Sequence, residues 1–215
     1  MITHNHDSDR RSRRLEGRRP PRNRGDETPL QQQIAWGKQI TRLDATPATI
    51  LALFEREGHR FEARNLATAL HRVGKLGGRR LTRDPRLERL IETCAWRIRE
   101  FTPQQIANIA WGSAKTGFTD HRFFEAVAAE AARRITEFDS QAMANTAWAY
   151  ATASVTAEPL FKAIAVEVPR RIGEFNAQEM ANTIWTFAKA CVAADSLFKA
   201  VAAEAPRRIG EFNPQ

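Results

Sequence analysis

IANIAWGSAKT (106–116), MANTAWAYATA (143–153) and MANTIWTFAKA (180–190) are three versions of one phrase, an Asn three residues ahead of a Trp in an Ala-rich run. The phrase returns at a fixed interval. Asn108, Asn145 and Asn182 are 37 residues apart, as are Trp111, Trp148 and Trp185, and as are Phe101, Phe138, Phe175 and Phe212. Such self-similarity marks a repeat array, in which each unit is one supersecondary element that cannot bury its apolar face alone. The period lies between the ~34 residues of tetratricopeptide repeats and the ~40–47 of HEAT and armadillo repeats.

Each unit reads as two helices. The first opens after a Phe with a capping residue: Thr102, Asp139 and Asn176. Ser, Thr, Asp and Asn side chains accept from the unpaired N–H groups of a first helical turn, and Pro103 fits the first helical position. Thr102 with Gln105, and Asn176 with Glu179, have capping-box spacing, and the preceding Phe is placed to staple onto Ile106, Met143 or Met180. A second helix is expected from about residues 120, 157 and 194, with Phe123, Phe124 and Val127 on its apolar stripe in the first copy. Pro169 and Pro206 are expected to kink or end the later copies, with the Arg-Arg-Ile that follows turning into the next unit. The fold class is therefore all-α, an α-solenoid of two-helix repeats with a 37-residue period.

Upstream, residues 61–76 and 87–100 read as a divergent unit, and residues 34–60 as a helical cap, so that 34–100 forms an atypical start to the array. Residues 101–215 hold three regular repeats and, at Phe212-Asn213-Pro214, the start of another, as though the sequence were part of a longer array. Residues 1–33 have few large apolar residues and no periodicity, which predicts a disordered basic leader. Its acids (Asp7, Asp9, Glu16, Asp26, Glu27) argue against a clean transit peptide.

The formal charge of +8 divides into +3 over residues 1–33, +6 over 34–100 and −1 over 101–215. A basic start to the chain invites a polyanion partner, while the regular repeats are close to neutral. The two cysteines, Cys94 and Cys191, and the five scattered histidines have no metal-ligand or disulfide spacing. No Gly-rich phosphate loop, nucleophile elbow or HExxH stands in the chain, and no apolar run of ~18 residues suggests a membrane span. The reading is of a non-enzymatic protein with no catalytic residues, no metal and no cofactor, and with no membrane among its partners.

The phrases FNAQEMANTIWTFAKA (175–190) and FDSQAMANTAWAYATA (138–153) resemble the helical repeats of organellar RNA-metabolism factors. These are the octotricopeptide-repeat proteins, RAP-domain and FAST-kinase-like proteins, and a subunit of the kinetoplastid RNA-editing substrate-binding complex. The resemblance covers about residues 34–215. It implies single-stranded RNA, an organellar transcript, as ligand, protein partners in a ribonucleoprotein complex, and a role in RNA processing, stability or translation in a chloroplast or mitochondrion.

On the first helix of a unit, Asn108, Trp111 and Lys115 share a side. The amides of Asn108, Asn145 and Asn182 have two readings: base-edge contacts, as repeat-type readers make, or stitches to buried backbone groups between units. The Trp residues read as core plugs. A per-repeat code would be expected to vary at Gly112, Ala149 and Thr186, and at Ser113, Tyr150 and Phe187. The pairs Arg133 and Arg134, Arg170 and Arg171, Arg207 and Arg208 form a second column, available to phosphates or to the Glu residues that recur beside them. The rival reading of the whole surface is a protein–protein scaffold without RNA, since solenoids serve both ends.

Overall fold

The computed structural model describes residues 28–211, and every regular element among them is helical. The first helix, α1 (Pro29–Thr41), begins inside the stretch read as leader, because Thr28 and Gln31 close a capping box. It is followed by α2 (Pro47–Glu57), α3 (Ala63–Gly77), α4 (Pro85–Trp96), α5 (Pro103–Thr116), α6 (His121–Arg133), α7 (Ser140–Ala153), α8 (Glu158–Arg170), α9 (Ala177–Lys189) and α10 (Asp195–Glu204). Residues 1–27, the remainder of the expected leader, and the unit start at residues 212–215 lie outside the described residues.

The odd-numbered helices from α3 onward stack on one another as an A layer, and α4, α6, α8 and α10 form a B layer behind them. The expected cap is itself a two-helix unit, with α1 against α3 and α2 against α4. Between the layers runs one continuous core that includes Leu70, Ile106, Phe124, Met143, Phe161 and Met180. The A helices pack on each other more closely than the B helices do. Glycine makes the closest step. A Cβ on Gly74 would lie 2.6 Å from the Gly112 carbonyl oxygen, and one on Gly112 would lie 2.6 Å from that of Leu70.

The start signals work as read. Thr102 accepts from the Gln105 N–H, Asp139 from that of Ala142 at 2.6 Å, and Asn176 from that of Glu179 at 2.8 Å. In return, the Asn176 N–H donates to the Glu179 carboxylate. Asn176→Ala is expected to cost about 1 kcal/mol, seen as a fall of about 2–4 °C in melting temperature. Unchanged melting would show that the cap contributes nothing.

The helix ends were less legible. A left-handed residue follows A helices α5, α7 and α9 at the same register: Gly117 (φ 78°), Ser154 (φ 56°) and Cys191 (φ 53°). The next N–H then donates back to a carbonyl five residues earlier: Phe118 to Ser113, Val155 to Tyr150 and Val192 to Phe187. This closes Schellman turns with an apolar residue tucked in behind. Only Gly117 announces the turn, since Ser and Cys adopt it at a cost of about 1 kcal/mol. Pro169 does not set the end of α8. It lies in the last turn of a helix that ends at Arg170, and α6, with Ala132 at that place, ends at the matching Arg133.

Candidate nucleic-acid interface

The outward side of the A layer is laid out as a grid. Along α5 it presents Gln104, Asn108, Trp111 and Lys115, and along α7 Gln141, Asn145, Trp148 and Thr152. On α9 the row is Gln178, Asn182, Trp185 and Lys189. On α3, where the interval is 40, it is Arg64, Thr68, His71 and Lys75. Residues one helical turn apart share a face, and stacking the units turns each repeated position into a column across the solenoid.

The central column is aromatic, and this corrects the expectation that the Trp residues plug the core. Trp111 and Trp148 are half-buried, and Trp185 is 45% exposed. Their rings continue one another across the helices. His71 lies 4.9 Å from Trp111 and Trp111 lies 6.1 Å from Trp148, centroid to centroid, the second pair stacked at 29° between planes. The Lys115 ammonium stands 5.3 Å from the Trp111 ring and 5.4 Å from that of Trp148, and Lys189 stands 4.8 Å from Trp185. Partial burial, then the nearby charges of Lys75 and Arg72, holds the His71 imidazole below its ordinary range. His71 therefore enters the column as a neutral flat ring. Lys115 was legible at its seven-residue distance from Asn108; His71 was missed because the first step is 40 residues rather than 37.

Asn108, Asn145 and Asn182 lie beside this column, half-buried. Among the described residues none of their side-chain amides is bonded to protein, so the stitching that sequence offered as one reading belongs to other residues. Those are the second arginines. Arg134 donates to the Phe101 carbonyl at 2.8 Å, Arg171 to that of Phe138 at 2.7 Å, and Arg208 to that of Phe175. Arg97 does the same to Phe61 at 2.7 Å. Each also grips a carboxylate three residues on: Glu137, Glu174, Glu211 and Glu100 respectively. Hydrogen bonds from these guanidinium groups hold all four carboxyls below their usual range.

The first arginines behave differently. Arg133, Arg170 and Arg207 are exposed at an edge of the B layer, each beside a Glu three residues back. Glu130 is buried and takes two bonds from Arg133. At the matching place in the preceding unit stands Trp96, 87% exposed, which the sequence reading passed over. The positions expected to carry a code are all buried: Gly112, Ala149, Thr186, Ser113, Tyr150 and Phe187. They face neighbouring helices and cannot reach a ligand. The Tyr150 hydroxyl, for instance, donates to the Phe124 carbonyl.

Among the described residues no three His, Cys, Asp or Glu side chains are grouped to hold a metal, and burial pushes the Cys94 thiol up, away from reactivity. No helix among them is long and apolar enough to cross a membrane. Fold and surface thus define a helical-repeat solenoid with an aromatic and cationic column on its A layer.

The family model for RNA-editing substrate-binding complex 6 protein matches residues 55–212, more than two thirds of the chain. The chain belongs to that family, the one whose editing-complex repeats the Asn–Trp phrases resemble. No curated protein matches it.

Proposed function

We propose that this chain is an RNA-binding, non-catalytic component of an organellar RNA-processing complex, engaging unpaired transcript on the outward side of its A layer. The observation that carries the reading is the His71–Trp111–Trp148 column with Lys115 against its rings. Aromatic faces stack bases whatever their sequence, and cations beside them track the phosphates. The unbonded amides of Asn108, Asn145 and Asn182 stand where base edges would come, and a family named for an editing substrate-binding complex supports RNA as ligand. The likeness to octotricopeptide and RAP-domain proteins supports a chloroplast or mitochondrial setting and a role in transcript processing, stability or translation. Protein partners in the complex would hold other faces of the solenoid.

Titrating a labelled single-stranded RNA at rising salt tests this. With Lys75, Lys115 and Lys189 as the phosphate contacts, log Kd should change with log salt by a slope of about 2. No binding at low salt would leave the scaffold reading.

A further inference from the structure

The column tightens at one end and opens at the other, and the buried residues beneath it show why. Gly74 meets Gly112 where α3 packs on α5, and the positions in the same register at the next two steps are Ala114 with Ala149 and Ala151 with Thr186. These residues are buried, and side-chain size grows along the series. Packing loosens in the same order, closest between α3 and α5 and loosest between α7 and α9. The rings on the surface follow: 4.9 Å at the first step, 6.1 Å at the second, and no stacking contact between Trp148 and Trp185 at the third. The varying positions taken from sequence as a contact code act from below, setting the ring spacing. The hydroxyls of Thr152 and Thr186, on the two helices of the open step, are buried without a partner.

We propose that the open step between Trp148 and Trp185 is a slot for one unpaired nucleobase of RNA. This rests on the reading of the A layer as an RNA surface and adds where a base inserts. Bases stack about 3.4 Å apart, so two rings holding a base between them need about 6.8 Å, more than the Trp111–Trp148 step offers. The third step alone is released from ring-to-ring contact, leaving Trp185 45% exposed with Lys189 over its ring to meet a phosphate. Asn145 and Asn182 lie one turn away on either side, in reach of the edge of the inserted base.

The test uses the full chain and a single-stranded RNA of about twelve nucleotides, one of them 2-aminopurine, whose fluorescence is quenched on stacking against an indole. Wild-type protein is expected to bind and quench. Trp185→Ala, at a half-exposed site, should keep its melting temperature, lose most of the quench and bind about tenfold more weakly. Thr186→Ala gives α7 and α9 the same Ala–Ala contact as α5 and α7. It should close the slot and cut the quench with both rings still present, an effect no loss of a surface ring explains. RNA bound and quenched equally by wild type and both variants would overturn the slot and leave the RNA-binding reading standing. No RNA bound by wild type at low salt would overturn both.

Discussion

Replacing Trp111 and Trp148 together with Ala is expected to weaken binding of single-stranded RNA by about a hundredfold. A base–aromatic stack is worth about 1–3 kcal/mol, and about 1.4 kcal/mol is a factor of ten in Kd: Trp148 offers its face to a base in the open step, and Trp111 braces the other side of that ring. The two rings touch each other and share the Lys115 ammonium, so the single variants should not add. Losing either one also strips the other of its stacked neighbour. Because both rings are only half-buried, the cost to folding should stay near the about 0.5–1.5 kcal/mol of an aromatic pair plus a modest area term. The fold then survives and affinity can be measured on folded protein. Affinity within twofold of wild type in the double variant would remove the column from the RNA path.

The sequence states the fold plainly because the features that make it are local and repeated. A Phe, a capping residue and an Asn–Trp phrase at a constant interval specify a helix start, a phase and a stacking partner in every unit. Ser154 and Cys191 show where this legibility stops: their left-handed turns are imposed by the units they join, and nothing in either residue type signals it. The site was half legible. Period and phase put Asn108, Trp111 and Lys115 on one side, but not whether that side met the core or solvent. Trp is large enough to be expected inside, yet here the A helices meet through small residues, with backbone-close approach at Gly74 and Gly112, leaving no room for an indole. The same close spacing brings successive rings into contact on the outside. Gly112, Ala149 and Thr186 drew notice because they vary, and only the packing shows that they vary in size for a reason beneath the surface.

Adjacent arginines gave the sequence no means of telling one from the other, and the structure separates them sharply. Arg171→Ala is expected to cost about 2 kcal/mol, and Arg170→Ala less than about 0.5 kcal/mol. The Arg171 guanidinium reaches back 33 residues to the carbonyl of Phe138, a residue fully buried where one unit meets the next. Deleting it leaves that carbonyl unpaired, and a hydrogen bond from a charged donor is worth about 1.5–3 kcal/mol. The Glu174 pair adds little, because that carboxylate is 56% exposed and screened. Arg170, 69% exposed, has its ion pair among the described residues with Glu167, which stays beside Arg171 when Arg170 is removed. Melting should therefore fall by about 4–8 °C for the first variant and hardly at all for the second. Because the units stack in series, breaking the stitch between two of them should also blunt the cooperativity of the transition. Equal losses in the two variants would sink the assignment of Arg134, Arg171 and Arg208 as the ties between repeats. If instead Arg170→Ala weakens RNA binding equally for all sequences at unchanged melting, then Arg133, Arg170 and Arg207 exchange their Glu partners for phosphates when RNA binds.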